Sequence, residues 1–291
     1  MLRRKAIVGT TDFSLSAQDA LERAARLAKE HDCSLTLVHV FNAGAWHDIE
    51  TLLGIAGPAA VDHMASAQKR LKQIAAELGG RHGLQVDDKV LTGKASREIG
   101  AFLATHPADL AVVGAHREGW ARNLLVGGTA LKVLAQARCP VLMVRRPADR
   151  PYAKVLVACD FSPGAVQAAR WALDLFPAAA HHLIHVYDVS FADTLRLDGA
   201  DDKEIERYRA SAKKNAAKRL DAFAADCHAQ GMAREALPGF PAPAILDQSQ
   251  ALAADVIVIG RHGGSALEER LFGSVTQNVL YHAPCDVLVA P

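Results

Sequence analysis

The chain has no Cys-x-x-Cys pair, no His-Glu-x-x-His helix signature, no Gly-x4-Gly-Lys-Ser/Thr loop and no apolar run of membrane-spanning length. Each absence removes a class of function. The five cysteines (Cys33, Cys139, Cys159, Cys227, Cys285) are odd in number and dispersed, which argues against a disulfide framework and suits a reducing compartment. Excess charge of either sign is also missing. The 33 basic and 32 acidic side chains nearly cancel, so bulk charge gives no drive toward nucleic acid or a membrane surface. At the start, the apolar stretch Ala6-Ile-Val8 ends at Gly9, which is too short for a signal-peptide core and reads as a first strand. The expectation is a cytoplasmic protein.

Thirteen histidines invite a metal, but their spacing does not. His181 and His185 are four apart in a strand, roughly 13 Å, too far for a chelate. No metal site and no catalytic residue is assigned. Thr92-Gly-Lys-Ala95 lacks the upstream glycine and the final hydroxyl of a P-loop. No Gly-x-Gly-x-x-Gly follows the first strand of either half, which weakens a dinucleotide reading.

What the chain does contain is itself, twice. Its 291 residues, half of them hydrophobic, suffice for two domains that each bury a core. Asp12-Phe-Ser14 matches Asp160-Phe-Ser162, and Leu37-Val-His-Val40 matches Ile184-His-Val186. Asp109-Leu-Ala-Val-Val-Gly114 matches Asp255-Val-Ile-Val-Ile-Gly260, and Cys139 matches Cys285. A single repeat of about half the chain means a duplicated domain rather than a solenoid. The charged, proline-bearing segment Arg145–Tyr152 reads as the linker, dividing the chain into domains 1–146 and 152–291.

Within each copy, short apolar runs alternate with amphipathic segments of helical period. The expected strands are Ala6–Gly9, Leu35–Val40, Val86–Val90, Leu110–Gly114 and Val141–Val144 in the first copy. In the second they are Val155–Ala158, Leu183–Val186, Val256–Gly260 and Val287–Ala290, with a weaker one near Ala233–Leu237. Runs such as Val-Ile-Val-Ile lack polar alternation, as strands covered on both faces do. The pattern predicts an α/β fold of two tandem, doubly wound domains with parallel sheets.

In such sheets, ligands sit beyond the carboxyl ends of the strands. Two loops of the second copy stand out there: Asp160-Phe-Ser162, and Gly260-x2-Gly263-x9-Gly273-Ser274 followed by Val275-Thr276. Glycines allow close backbone approach, and Gly273-Ser274 opens a predicted helix over about 275–281 whose free amides favour an anion. The hydroxyls of Ser274 and Thr276 are expected to add donors.

These loops resemble those of the ATP-binding type of universal stress protein, and the repeat, spanning nearly the whole chain, resembles tandem members of that family. The resemblance implies the adenine nucleotide alpha hydrolase-like fold, with a five-stranded sheet in the order 3-2-1-4-5 in each domain. It implies ATP, with or without Mg2+, in the second domain. Asp160 would contact the nucleoside and the Val186 backbone the adenine edge. Gly260, Gly263, Gly273, Ser274, Val275 and Thr276 would surround ribose and phosphates. It also implies that the two domains pair through their last strands, and that tandem chains form a homodimer.

The first copy departs from this pattern. Gly114-Ala-His-Arg117 has arginine in place of the second glycine, and Gly127-Gly128-Thr129 has glycine in place of the serine. Asp12, Val40, Gly114, Arg117, Gly127, Gly128 and Thr129 therefore mark a degenerate site, with Asp12 keeping open a nucleoside or weaker ligand. The leading expectation is a stress-response protein acting as a nucleotide-dependent switch or scaffold. The alternatives are a slow Mg2+-dependent nucleotide hydrolase and an interaction scaffold with no nucleotide. The hydrolase needs a positioned base near Ser274, and no residue nearby in sequence supplies one.

Overall fold

The computed structural model describes residues 6–44, 59–115, 126–198, 200–263 and 272–291. The chain divides into two compact units, Met1–Pro151 and Tyr152–Pro291. The first runs β1 (Ala6–Thr11), α1 (Leu15–Glu30), β2 (Ser34–Phe41), α2 (Ala59–His82), β3 (Val86–Thr92), α3 (Ala95–Thr105), β4 (Leu110–Gly114), α4 (Gly128–Gln136) and β5 (Val141–Val144). The second runs β6 (Lys154–Cys159), α5 (Pro163–Leu175), β7 (Ala180–Tyr187), α6 (Phe191–Leu197), α7 (Asp202–Asp226), β8 (Ala233–Pro238), α8 (Pro241–Ala251), β9 (Val256–Gly260), α9 (Ser274–His282) and β10 (Asp286–Ala290).

All strand pairs within each unit are parallel. The first unit has the order β3-β2-β1-β4-β5 and the second β8-β7-β6-β9-β10, so both show the 3-2-1-4-5 winding. The central strands are buried along their length, as the unbroken apolar runs require: Val256–Gly260 is buried at every residue. The outer strands β3 (VDDKVLT) and β8 (AREALP) are largely exposed and carry charge, which blunts the sheet edge against further pairing.

Strands β1 and β6 extend beyond the apolar runs to Thr11 and Cys159, because the parallel ladder continues to the pairs Thr11–His39 and Cys159–His185. This extension carries each chain to the point where the winding reverses, between β1 and β4 and between β6 and β9. The matched aspartates fasten the opposite ends of these strands. Asp109 Oδ2 accepts the Ala6 amide at 2.8 Å, and Asp255 Oδ2 accepts those of Ala153 and Lys154 at 2.8 and 2.9 Å.

Helix α1 shows how closely the layers sit. Its buried face is mostly alanine (Ala17, Ala20, Ala24, Ala25, Ala28) with Leu21 and Leu27. A Cβ on Gly9 of β1 would lie 2.9 Å from Leu21 Cδ2, so the strand needs glycine where the leucine docks. Helices α3 and α8 complete the crossovers from β3 to β4 and from β8 to β9. Neither has a side-chain cap at its start, where Lys94 and Phe240 stand.

Candidate functional site

The site begins with the corner that follows the first strand of each unit. Asp160 Oδ1 accepts the Ser162 amide at 3.0 Å, and Ser162 Oγ accepts the Ala165 amide at 3.2 Å, capping α5. Pro163 occupies the first turn, where its missing N–H costs nothing. Asp12, Ser14 and Ala17 repeat both contacts, at 3.0 and 3.2 Å. Between aspartate and serine, Phe161 and Phe13 sit at φ 66° and 67°, a left-handed conformation that a bulky residue avoids unless its surroundings impose it.

Those surroundings are the same in both units. His185 packs on Phe161 with ring centroids 4.1 Å apart, and the Arg219 guanidinium lies 4.2 Å from the Phe161 centroid. In the first unit His39 packs on Phe13 at 4.2 Å and Arg70 lies 4.6 Å away. Each histidine brings Nδ1 to the carbonyl that ends the first strand: His185 to Cys159 at 2.8 Å, and His39 to Thr11 at 2.9 Å. A carbonyl only accepts, so Nδ1 carries the proton. Burial holds both histidines below the ordinary imidazole value. The Arg-Phe-His stack locks the strained corner, and with it the aspartate.

Sequence reasoning missed this stack. His39 and His185 lie within the matched strand motifs, but Arg70 and Arg219 come from long helices whose alignment no motif marks. The signal available was their near-equal separation from the two phenylalanines.

Beyond the corner of the second unit lies a cavity of about 180 Å3. Asp160, Val186, Gly260, Gly263, Gly273, Ser274, Val275 and Thr276 all line it, so the eight residues singled out from sequence converge on one space. Ala158, Ile184, Ile245 and Ile259 supply an apolar wall, and His262 lies at the loop. Among the described residues Arg261 is not part of the lining. The loop residues Gly264–Leu271 lie outside the described residues.

The glycines do different work from one another. A Cβ on Gly263 would lie 2.5 Å from Asp160 Oδ2, so this glycine lets the loop close on the carboxylate. A Cβ on Gly260 would meet the Gly164 backbone at 2.9 Å, and one on Gly114 would meet Ser16 Oγ at 2.7 Å. Gly260 and Gly114 are thus demanded by strand–helix packing, rather than by the close approach to phosphate that the loop pattern suggests. Gly273 meets only ordinary contacts, the nearest at 3.5 Å, and has φ −62°.

Gly273 heads α9 without a side-chain cap, and the helical ladder begins only at the Gln277 amide bonded to the Gly273 carbonyl at 2.9 Å. The amides of Ser274, Val275 and Thr276 therefore stand at the helix head, facing an anion-favouring end. Ser274 is exposed, with its hydroxyl available there. Thr276 differs from expectation. It is buried, and its hydroxyl donates to the Gly260 carbonyl at 2.8 Å, tying the helix head to the end of β9.

The first unit has a counterpart cavity of about 420 Å3, lined by Asp12, Val40, Gly114, Gly127, Gly128 and Thr129. Arg117, the residue that marks this site as degenerate, lies outside the described residues, as does His116. Cys159, which lines the second cavity, is pushed up to about 12 by burial and stays a protonated thiol at neutral pH. Among the described residues no group of three or more His, Cys, Asp or Glu could hold a metal ion, and no helix is long and apolar enough to cross a membrane.

The family model described as "Universal stress protein family" matches the chain twice, over residues 3–145 and 151–291. The chain belongs to the universal stress protein family. A universal stress protein of Mycobacterium tuberculosis is 25% identical, with 99% of this chain and 97% of that relative covered. One of Methanocaldococcus jannaschii is 30% identical over 152 residues, covering 49% of this chain and 83% of the relative. Among solved structures, a universal stress protein from Archaeoglobus fulgidus matches with a TM-score of 0.72 at 20% identity, covering 99% of each chain. The double match and the end-to-end tandem relatives agree with the internal repeat. The universal stress protein fold therefore spans the whole chain.

Proposed function

We propose that the second unit, residues 152–291, binds an adenine nucleotide, ATP in the first instance, and that the protein works as a nucleotide-dependent switch or scaffold. The observation that carries this reading is the convergence of Asp160, Gly263 and the uncapped head of α9 on one cavity with an apolar wall. The wall offers a surface for a base, the Asp160 carboxylate borders the cavity as an acceptor, and the amides of residues 274–276 suit phosphate. Asp160 is the sole carboxylate lining the cavity among the described residues, and the one thiol there is held protonated. This chemistry supports binding more than turnover. Mg2+, if it accompanies the nucleotide, would come on the phosphates.

A switch requires that the nucleotide contact one conformation or assembly better than another. A ligand touching both Asp160 and the amides at the head of α9 would favour the conformation that brings these two together.

The test is a titration of ATP, ADP and AMP into the wild type and a Gly273→Asp/Ser274→Ala variant. Gly273 has an ordinary φ and no close neighbour, so the variant should fold and place a carboxylate at the helix head. ATP is expected to bind the wild type and to bind the variant at least about tenfold more weakly, a difference of about 1.4 kcal/mol. Binding to neither, or equally to both, would overturn the assignment.

A further inference from the structure

Asp160 borders the second cavity from a corner that lies between β6 and α5, so its direction depends on how that corner is held. The next residue, Phe161, sits at φ 66°, which a phenylalanine keeps only when its ring is gripped from outside. Two elements grip it. From β7, His185 packs on the ring at 4.1 Å, with Nδ1 donating to the Cys159 carbonyl at 2.8 Å. From α7, the Arg219 guanidinium lies 4.2 Å from the ring centroid, and Phe223 meets the ring edge-on at 5.9 Å and 68°.

Arg219 and Phe223 are four residues apart, one above the other on the same helix face. Their surroundings differ. Phe223 is 6% exposed and belongs to the packed face of α7, whereas Arg219 is exposed. Burial therefore does not account for the arginine's place over the ring. Nor does the cavity, since Arg219 is not part of its lining among the described residues. In the first unit Arg70 lies 4.6 Å from the Phe13 centroid, and Ile74 stands four residues on, where the second unit has Phe223. The grip from the long helix is closer and more aromatic in the unit with the glycine loop.

We propose that Arg219 is a positioning residue for nucleotide binding, which acts through the Phe161 ring to aim Asp160 into the cavity. The proposal rests on the reading that the second unit binds an adenine nucleotide with Asp160 on its nucleoside side. A flat guanidinium covers the negative face of the ring, and an ammonium covers less of it. With the guanidinium gone, Phe161 is released to leave positive φ, and the adjoining carboxylate turns with the backbone. A direct contact between Arg219 and phosphate would act differently, because it would strengthen ATP binding and leave adenosine unaffected.

The experiment measures ATP and adenosine affinities by calorimetry on the full chain, with a thermal melt of each variant. Arg219→Ala is expected to weaken both ligands by the same factor, roughly fivefold to tenfold, while Arg219→Lys recovers part of the loss. Arg70→Ala removes the matching contact from the first unit and is expected to leave ATP affinity unchanged. The decisive background is Phe161→Gly, because glycine takes positive φ without a grip on its ring. This variant is expected to keep most of its ATP affinity, and adding Arg219→Ala to it is expected to cost nothing further. ATP binding untouched by Arg219→Ala, a loss confined to ATP, a loss of the same size in the Phe161→Gly background, or loss of binding in Phe161→Gly itself would each overturn this proposal alone. Absence of binding in the wild type would overturn the nucleotide reading and this proposal with it.

Discussion

Asp160 and Gly263 meet so closely that neither can be understood alone. The carboxylate spends one oxygen on the Ser162 amide, and the other lies where a Cβ on residue 263 would intrude at 2.5 Å. The intruded atom is the end of a side chain, so Gly263→Ala should turn Asp160 aside rather than unfold the unit. ATP affinity is expected to fall about tenfold while the melting temperature stays nearly constant. A matched fall in both, seen by calorimetry and thermal melting, would instead make Gly263 a packing glycine like Gly260. The histidines supply a second residue-level prediction. Burial, the largest cause, holds His39, His181 and His185 below their ordinary value. Asp12 and Asp160 oppose the shift at His39 and His185, while Arg70 and Arg219 add to it; His182 adds to it at His181. The unfolded chain therefore takes up protons first as pH falls. The stability gained by keeping these rings neutral is complete above about pH 6.5 and is lost as pH drops through that value toward the folded ones. Urea midpoints should fall between pH 7.5 and 5.5, and a flat profile would contradict this.

At the scale of elements, helix starts decide how the loops meet the cavity. Ser162 caps α5 immediately after Asp160, so Ser162→Ala should cost about 1 kcal/mol in chemical denaturation, and Ser14→Ala a similar amount, because the corners are built alike. A cost in one and none in the other would break the equivalence of the repeats. Much of this level was legible in the sequence. Unbroken apolar runs announced the central strands, and Ser162-Pro163 announced α5, because burial on both faces and helix capping leave local traces. Helices α3 and α8 were harder to see, since Lys94 and Phe240 open them without any capping side chain. The Arg-Phe-His stack left no local trace either, because its three members come from a helix, a corner and a strand far apart in the chain. The loop pattern identified the residues of the second cavity but not all their roles. Gly260 faces the Gly164 backbone, and Thr276 donates to Gly260, relations set by tertiary packing rather than by spacing.

At the scale of the whole molecule, duplication kept the fold and the strained corner while the cavity linings diverged. Both units hold Phe at positive φ between the same aspartate and serine, under the same arginine and histidine. The second lines its cavity with Gly263, Gly273 and Ser274, whereas the first adds Lys94, Lys132 and Ser96 to an apolar lining that includes Val40, Ile99 and Val113. The central proposal is that, of two copies of one universal stress protein fold, the second binds ATP. The most direct measurement is a calorimetric titration of the full chain with ATP, read for stoichiometry. One ATP per chain is expected in the wild type and in the Lys94→Ala/Lys132→Ala variant, with binding lost in the Gly273→Asp/Ser274→Ala variant. Two ATP per chain, or one that survives the loop variant and disappears with the lysines, would contradict it.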